Sequence, residues 1–509
     1  MYRRLRAHSG PWDMIVVGGG ATGVGVAIDA AARGYDVLLL EQHDFGKGTS
    51  SRSTKLVHGG VRYLEQGNVS LVMEALKERG LLARNAPHLV RNLGFVVPNY
   101  DWWEAPFYGI GLKLYNLLAG KYGFGASRIL SREETLDRLP TIKPEGLRGG
   151  VIYFDGQFDD SRLLINLVAT AFEQGATLLN YAAVSGVTKD AEDFVDGVRF
   201  RDAETGEEFE ARAKVVVNAT GPFADALRRH ADPTVQPMIA PSQGIHLVFD
   251  RSFLAGDDAI MVPHTSDGRV MFAIPWHGHT VVGTTDTPIA EPTLEPAPLA
   301  QEIDFILQTS ALYLAKTPTR EDIRSVFAGI RPLVKSGEGG STAALSRDHT
   351  IRIENSGLVT VCGGKWTTYR HMAEDCVNQA ATLARLPDRP CVTEHLNIHG
   401  FHPSSEKFGR LWMYGSDAPL VEQIGGEPMD SDLPYTAAEV LWAVREEMAR
   451  TLEDVLARRT RALFLNSRAA LRMAKGVARL MAAELMQDAA WEAGQVENFR
   501  ATAEHYVAL

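Results

Sequence analysis

The segment that most constrains the fold is "DMIVVGGGATGVGVAIDAAARGYDVLLLE", residues 13–41. An apolar run closes on Gly18-Gly19-Gly20-Ala21-Thr22-Gly23, a stretch of small residues follows, and a second apolar run, Val37 to Leu40, ends at Glu41. Strand, glycine turn, helix, strand and acid in that order predict a βαβ unit that binds a dinucleotide. Gly18 permits the tight turn, Gly20 lets backbone N–H groups approach a pyrophosphate at the helix N-terminus, and Gly23 lets helix and strand lie close; Gly19, Ala21 and Thr22 complete the loop. Glu41 is placed to accept hydrogen bonds from ribose hydroxyls, and an acid there disfavours a 2′-phosphate and hence NADP. On this motif alone FAD and NAD both stay open.

Length and charge narrow the partners. At 509 residues the chain exceeds one ordinary core, and ~150 residues per domain points to about three domains, read as a large α/β body with a smaller appendage. A net charge of −11 argues against a nucleic-acid binder, because phosphate backbones are held by a surplus of Lys and Arg. Any anionic ligand must therefore meet a local basic pocket. Cys362, Cys376 and Cys391 form no C-x-x-C pair and leave one unpaired under any disulfide scheme, so reduced thiols in a cytoplasmic compartment are expected, with no metal site. The N-terminal "MYRRLRAHSGPWD" is basic but no apolar stretch follows it, so it is not read as a secretory signal, and no run reaches the ~18 apolar residues of a spanning helix. Membrane contact is expected only along the surface. The local candidate is Asp101 to Phe124, where Trp102, Trp103, Phe107, Tyr108 and Tyr115 mix with Lys113 and Lys121; an interfacial segment and a core helix both fit it.

Two later stretches bear on the cofactor. "GVRFRDAETGEEFEARAKVVVNATGPFADAL" reads as strands around a Glu-Thr-Gly turn, then a buried strand, Val215 to Val217, closing on Ala219-Thr220-Gly221, whose small side chains suit a close backbone pass over a cofactor. "GLVTVCGGKWTTYRHMAED" repeats strand, Gly363-Gly364 and helix, and a helix starting there would aim N–H groups at an electron-rich acceptor such as a reduced flavin.

Together "VVGGGATG", "TSSRSTKLVHGGVRYLE", "VNATGP", "IPWHGHTVVGTTDT", "GIRPL", "LSRDHTI", "GGKWTTYR" and "EDVLARRTRALF" closely resemble the FAD-dependent glycerol-3-phosphate dehydrogenases, relatives of the D-amino-acid oxidase and glycine oxidase group. The motifs span residue 15 to about 465, nearly all the chain. The resemblance implies an α/β fold: a Rossmann-like FAD-binding domain of the D-amino-acid oxidase type, a β-rich substrate domain and a C-terminal helical cap. It also implies oxidation of sn-glycerol 3-phosphate to dihydroxyacetone phosphate by hydride transfer to FAD, with electrons passed to a quinone at the inner face of the cytoplasmic membrane. Thin membrane signals keep an oxygen-dependent oxidase as the runner-up. A D-amino-acid or secondary-amine oxidase is a further alternative, and a non-catalytic or RNA-modifying FAD protein is disfavoured by the acidic charge.

Such chemistry needs a dianion clamp, a proton acceptor for the C2 hydroxyl and support for reduced flavin. Arg331, Arg347 and Lys365 match family positions at the substrate, and guanidinium forks suit phosphate oxygens. His58 is a candidate base with an ordinary pKa of ~6.5, or a neutral histidine shaping the flavin pocket. His246 is the rival base, and Lys365 serves if burial lowers its pKa. Thr49, Ser50, Ser51 and Lys55 are expected at the pyrophosphate or ribityl chain, with N-capping by Ser50, Ser51 or Ser53 as the alternative; Gly59 and Gly60 are expected at the flavin ring, and Arg62 and Tyr63 at the substrate. Thr220, Gly221, Gly364, Lys365 and Thr367 complete the expected cofactor set.

Residues 1–79, 151–231 and 336–390 are expected to form the FAD domain, 80–150 and 232–335 the substrate domain, and 391–509 the helical domain. Val69, Val72, Met73 and Leu76 predict an amphipathic helix, and Thr436 with Glu439 a capping box. The stripe Leu471, Ala474, Ala478, Met481 and Leu485 serves either a homodimer surface or a plain lid.

Overall fold

The computed structural model describes residues 1–60, 64, 68–101, 104–263, 265–266, 268–335 and 348–508, except the side chains of 104–107. Arg62, Tyr63 and Arg347 lie outside the described residues, as do Trp102 and Trp103.

Strands Met14–Val17 and Val37–Leu40 are buried at every residue, as strands covered on both faces must be, and they pair in parallel. Val216–Asn218 and then Val359–Gly363 continue the parallel sheet on one side, with His349–Ile353 antiparallel at that edge; Thr177–Leu179 extends the other. Helix Ala21–Ala32 begins behind the glycine turn and lies close to the sheet. A Cβ at Gly23 would sit 1.9 Å from the Gly18 carbonyl oxygen, so this approach needs a residue without a side chain. The order and handoffs match the βαβ unit expected from the sequence.

A second, mostly antiparallel sheet runs in the order Thr287–Pro288, Ile239–Asp250, His279–Gly283, Met271–Trp276, Ala259–Val262, Val90–Asn99, Gly149–Phe158 and Leu56–Val57, with Ser325–Val334 also paired to Ile239–Asp250. The boundary expected between 150 and 151 falls inside one of its strands. Gly149–Phe158 pairs along its length with Val90–Asn99, and Leu56–Val57 joins the same sheet from within the expected FAD segment. The boundary at 79/80 likewise cuts helix Val69–Asn85. That helix buries Leu71, Val72, Ala75, Leu76 and Leu82, while Val69 and Met73 are exposed. The buried stripe is displaced from the expected one because two charged positions turn inward on ion pairs, Glu78 with Arg370 and Arg79 with Asp155.

The C-terminal region is helical. The capping box forms at Thr436 and Glu439 on helix Ala437–Arg445. On helix Ser467–Leu485, Ala474, Ala478 and Met481 are buried in a cluster that also holds Tyr153, Trp276 and Phe327 of the second sheet, so the stripe offered as a dimer surface is used within the chain's own core. Helix Glu104–Ala119 buries Tyr108, Leu112, Tyr115 and Ala119, as the core-helix reading expects, whereas Ile110 and Leu117 are 72% and 77% exposed.

Candidate active site

Two adjoining cavities meet where the sheets face each other. The first, of about 300 Å³, is lined by Gly18, Gly20, Ala21, Thr22, Glu41, Thr49, Ser50, Thr220 and Gly221 on one side and by Gly363, Gly364, Lys365 and Trp366 on the other. The second, of about 210 Å³, is lined by Arg52, Thr54, His58, His246, Arg331 and Thr367. Both share Thr49, Pro332, Gly363, Gly364, Lys365 and Trp366, so a ligand filling the first reaches the second.

Around the first cavity the polar groups are set by the turn. Glu41 accepts from the Gly19 N–H at 2.7 Å and from the His43 N–H at 2.8 Å, and burial pushes its carboxyl up from the ordinary value. Gly20 is the N-cap of helix Ala21–Ala32 and offers no side chain of its own; the Ser50 hydroxyl accepts from the Ala21 N–H at 2.9 Å instead. Ser50 thus caps, but on the helix of the glycine turn and not on its own 3₁₀ turn, Thr49–Ser51, where no side-chain cap forms. The Trp366 indole donates to the Ser50 carbonyl at 2.9 Å, which ties the two walls together. Lys47, not anticipated from the sequence, also lines this cavity, and its ammonium lies 3.1 Å from Glu295 and 2.5 Å from Glu453.

Around the second cavity, strand pairing sets opposite Ser242–Gly244 the residues Gly329–Arg331. The Arg331 guanidinium lies over Gly244, donating to the Thr285 carbonyl at 3.0 Å and Thr284 Oγ1 at 3.1 Å, with Asp286 at 3.4 Å. His246 is buried, stacks on Phe327 at 4.9 Å, and shares a 2.9 Å hydrogen bond between Nε2 and Thr54 Oγ1. Burial first, then the charges of Lys55 and Arg331, hold it well below its ordinary pKa, so the ring is neutral. The His58 N–H donates to Thr367 Oγ1 at 3.2 Å.

Several expected residues sit elsewhere. Lys55 lines neither cavity: its ammonium is buried and donates to both oxygens of Asp160 at 2.8 Å. Ser51 lies beneath the loop with its hydroxyl toward the Gly48 carbonyl, Gly19 and Gly23 stand behind the turn, and Gly59 and Gly60 line neither cavity. Arg52 and Thr54 were missed, although they interleave with the expected set. Arg52 donates from Nη2 to both carboxylate oxygens of Glu295, at 2.8 and 2.9 Å, a partner 243 residues away that nothing local marks.

Comparison with known proteins decides the family. Residues 13–371 match the model described as FAD dependent oxidoreductase, and residues 391–492 match the C-terminal domain of alpha-glycerophosphate oxidase. A mitochondrial glycerol-3-phosphate dehydrogenase of Arabidopsis thaliana is 42% identical over 94% of this chain and 83% of its own length, and that of Homo sapiens is 38% identical over 97% and 73%. The chain belongs to the FAD-dependent glycerol-3-phosphate dehydrogenases. A solved member of the family, the Bacillus halodurans enzyme complexed with FAD, superimposes with a TM-score of 0.79 at 30% identity, covering 98% of this chain and 95% of that one. Glycine oxidase from Geobacillus kaustophilus shares the fold, with a TM-score of 0.56 at 20% identity over 75% of this chain and 96% of that one.

The residues present fit the family's FAD. A cleft lined by the helix N-terminus at Gly20, Ala21 and Thr22 and by the acid Glu41 continues at Gly363 and Gly364 into the second cavity. The family motif "EDVLARRTRALF" contributes from outside. Arg458 and Arg459 reach Asp44, and Arg458 also binds Glu453 at 2.7 Å, so the helical region braces the loop that carries Lys47 and Ser50.

Proposed function

We propose that the protein oxidises sn-glycerol 3-phosphate at C2 to dihydroxyacetone phosphate and passes the electrons to a quinone at a lipid surface. The observation that carries this reading is that Arg331 shares a cavity with His58, His246 and Lys365, and that this cavity opens from the dinucleotide cleft. The names of relatives 38–42% identical over nearly the whole chain support it.

In this reading Arg331 holds the phosphate dianion with charge-assisted hydrogen bonds, its fork preset by Thr284, Thr285 and Asp286. His58 takes the C2 hydroxyl proton. His246 is the weaker base, because an imidazolium there would face burial and two cations; as a neutral ring it orients the substrate. When bound, FAD supplies the hydride acceptor. Lys365, at the junction of both cavities, places a cation beside that acceptor and the substrate. Arg62, Tyr63 and Arg347 are proposed to complete the clamp.

The lipid contact is assigned to helix Glu104–Ala119. Its outer face presents Ile110, Leu114 and Leu117 at i, i+4 and i+7, with exposed Ile129 beside Gly109 and with Lys113 and Lys121 flanking. No helix among the described residues is long and apolar enough to cross a membrane.

The decisive experiment is anaerobic mixing of the flavin-loaded protein with sn-glycerol 3-phosphate, with D-alanine and sarcosine as controls. Bleaching by glycerol 3-phosphate alone is expected, and bleaching by the controls alone, or by nothing, overturns the assignment. Rapid peroxide formation in air, with no reduction of a short-chain quinone, would favour an oxidase.

A further inference from the structure

One buried network outside the cavities ends on the active-site backbone. Tyr115, 1% exposed on the inner face of helix Glu104–Ala119, accepts a hydrogen bond from the Gly59 N–H at 2.8 Å and donates to Asp155 Oδ2 at 2.7 Å. Arg79, also 1% exposed, donates to the other carboxylate oxygen at 2.7 Å and to the Tyr122 carbonyl at 2.9 Å, with its guanidinium 4.3 Å over the Phe124 ring. The directions are forced. Asp155 only accepts, so the phenol must give it the proton, and the lone pair left on the phenol oxygen faces Gly59. Burial, reinforced by Asp155, pushes the Tyr115 phenol well above its ordinary value, so it stays a donor.

The contact is close and specific. A Cβ at Gly59 would lie 2.4 Å from the Tyr115 oxygen and 2.5 Å from Leu76 Cδ2, so this residue is pressed against the helix pair by design of the site. Its neighbour His58 is bound by Thr367, which lines the second cavity. Two consecutive backbone N–H groups are therefore fixed by different elements, and the anchor Asp155 adjoins Gly156, which pairs with Val57. A side chain that must meet a reacting atom needs its backbone held this firmly.

We infer that Tyr115 is a positioning residue: its hydroxyl, aimed by Asp155 and Arg79, fixes the backbone of His58–Gly59 so that the His58 ring meets substrate and flavin. This rests on the proposed reading that His58 works at that site.

The test compares Tyr115→Phe and Asp155→Asn in the FAD-loaded protein. Phe keeps the ring and deletes the bond to Gly59. Asn keeps an oxygen for Tyr115 and removes the charge facing Arg79, so it destabilises the fold without cutting that bond. Amide exchange of residues 56–60 is expected to speed at least tenfold in Tyr115→Phe and to stay near wild type in Asp155→Asn, and the visible band of bound flavin is expected to shift only in the former. In anaerobic stopped flow, the limiting rate of flavin reduction by sn-glycerol 3-phosphate should fall at least tenfold in Tyr115→Phe with the substrate dissociation constant within twofold of wild type. Unchanged exchange in Tyr115→Phe overturns the inference. So does faster exchange with an unchanged rate, or a rate loss in Asp155→Asn that follows its melting temperature as closely as in Tyr115→Phe. If glycerol 3-phosphate reduces none of the proteins, the functional reading fails, while the exchange and flavin-band comparison still decides the positioning role.

Discussion

Replacing Lys55 with Met separates a cofactor contact from a fold contact. Its ammonium has no exposure, donates to Asp160 at 2.8 Å and to the Ser51 carbonyl at 2.7 Å, and lies 5.0–5.1 Å from the rings of Trp276, Phe327 and Phe464. Met fills the same volume without the charge and leaves the Asp160 carboxylate buried. Deleting one member of such a pair costs about 3–5 kcal/mol. Asp160 keeps donors from the Ser53 N–H, the Ser53 hydroxyl and the Ser161 N–H at 3.0, 2.7 and 2.8 Å, so the lower end is expected. About 3 kcal/mol is roughly a hundredfold in the folding equilibrium, and a drop of roughly 6–12 °C in melting temperature if the cooperative unit is about 150–250 residues. The assay is calorimetry of the FAD-loaded protein with flavin content measured per folded chain. Adding Asp160→Asn should recover at least half of the loss, because no unpaired charge then remains inside. A Lys55→Met protein that melts within about 2 °C of wild type yet loses its flavin would refute the reasoning and restore Lys55 to the cofactor site.

Arg331→Ala should raise the dissociation constant for glycerol 3-phosphate by about 10- to 100-fold, as expected for lost charge-assisted bonds, with flavin content unchanged. Gly244→Ala should give a weaker copy of that phenotype, since its Cβ would sit 2.5 Å from the guanidinium; loss of flavin in either variant would show the clamp misplaced. His399 lies 2.6 Å from Glu173 and 2.7 Å from Asp417, and its pKa rises to about 9, chiefly through Asp417. A folded-state value above the unfolded ~6.5 gives stability that is complete below that pH and is lost as pH rises through about 9. The melting-temperature gap between wild type and His399→Gln should therefore close between pH 7 and 10, and a constant gap would exclude this account. Ile110→Asp with Leu117→Asp should abolish flotation with anionic vesicles, because burying two such side chains is worth roughly 3–6 kcal/mol; flavin reduction without lipid should be retained, and undiminished flotation would place the lipid face elsewhere.

What was legible in the sequence was local, and what was not depended on partners far along the chain. The glycine turn from Gly18 to Gly23 and the acid Glu41 show their purpose because one βαβ unit supplies both ends of the pattern. The second cavity, the proposed substrate site, draws Thr54 and His58, Gly244 and His246, Arg331, and Lys365 from four separate stretches that only strand pairing and loop packing unite. Lys55 shows the limit most sharply. Within "TSSRSTK" it looks like its neighbours Thr49 and Ser50, and its charge partner inside the fold is Asp160, 105 residues away. The same holds for charge. Lys47 and Arg52 line the two cavities, but Glu295 neutralises both, and Glu453, itself gripped by Arg458, takes a second share of Lys47. Burial and the mutual attraction of these groups leave little of either charge for a ligand, and for that reason the proposed phosphate contact is assigned to Arg331, which lines the second cavity and whose side chain is more exposed than either.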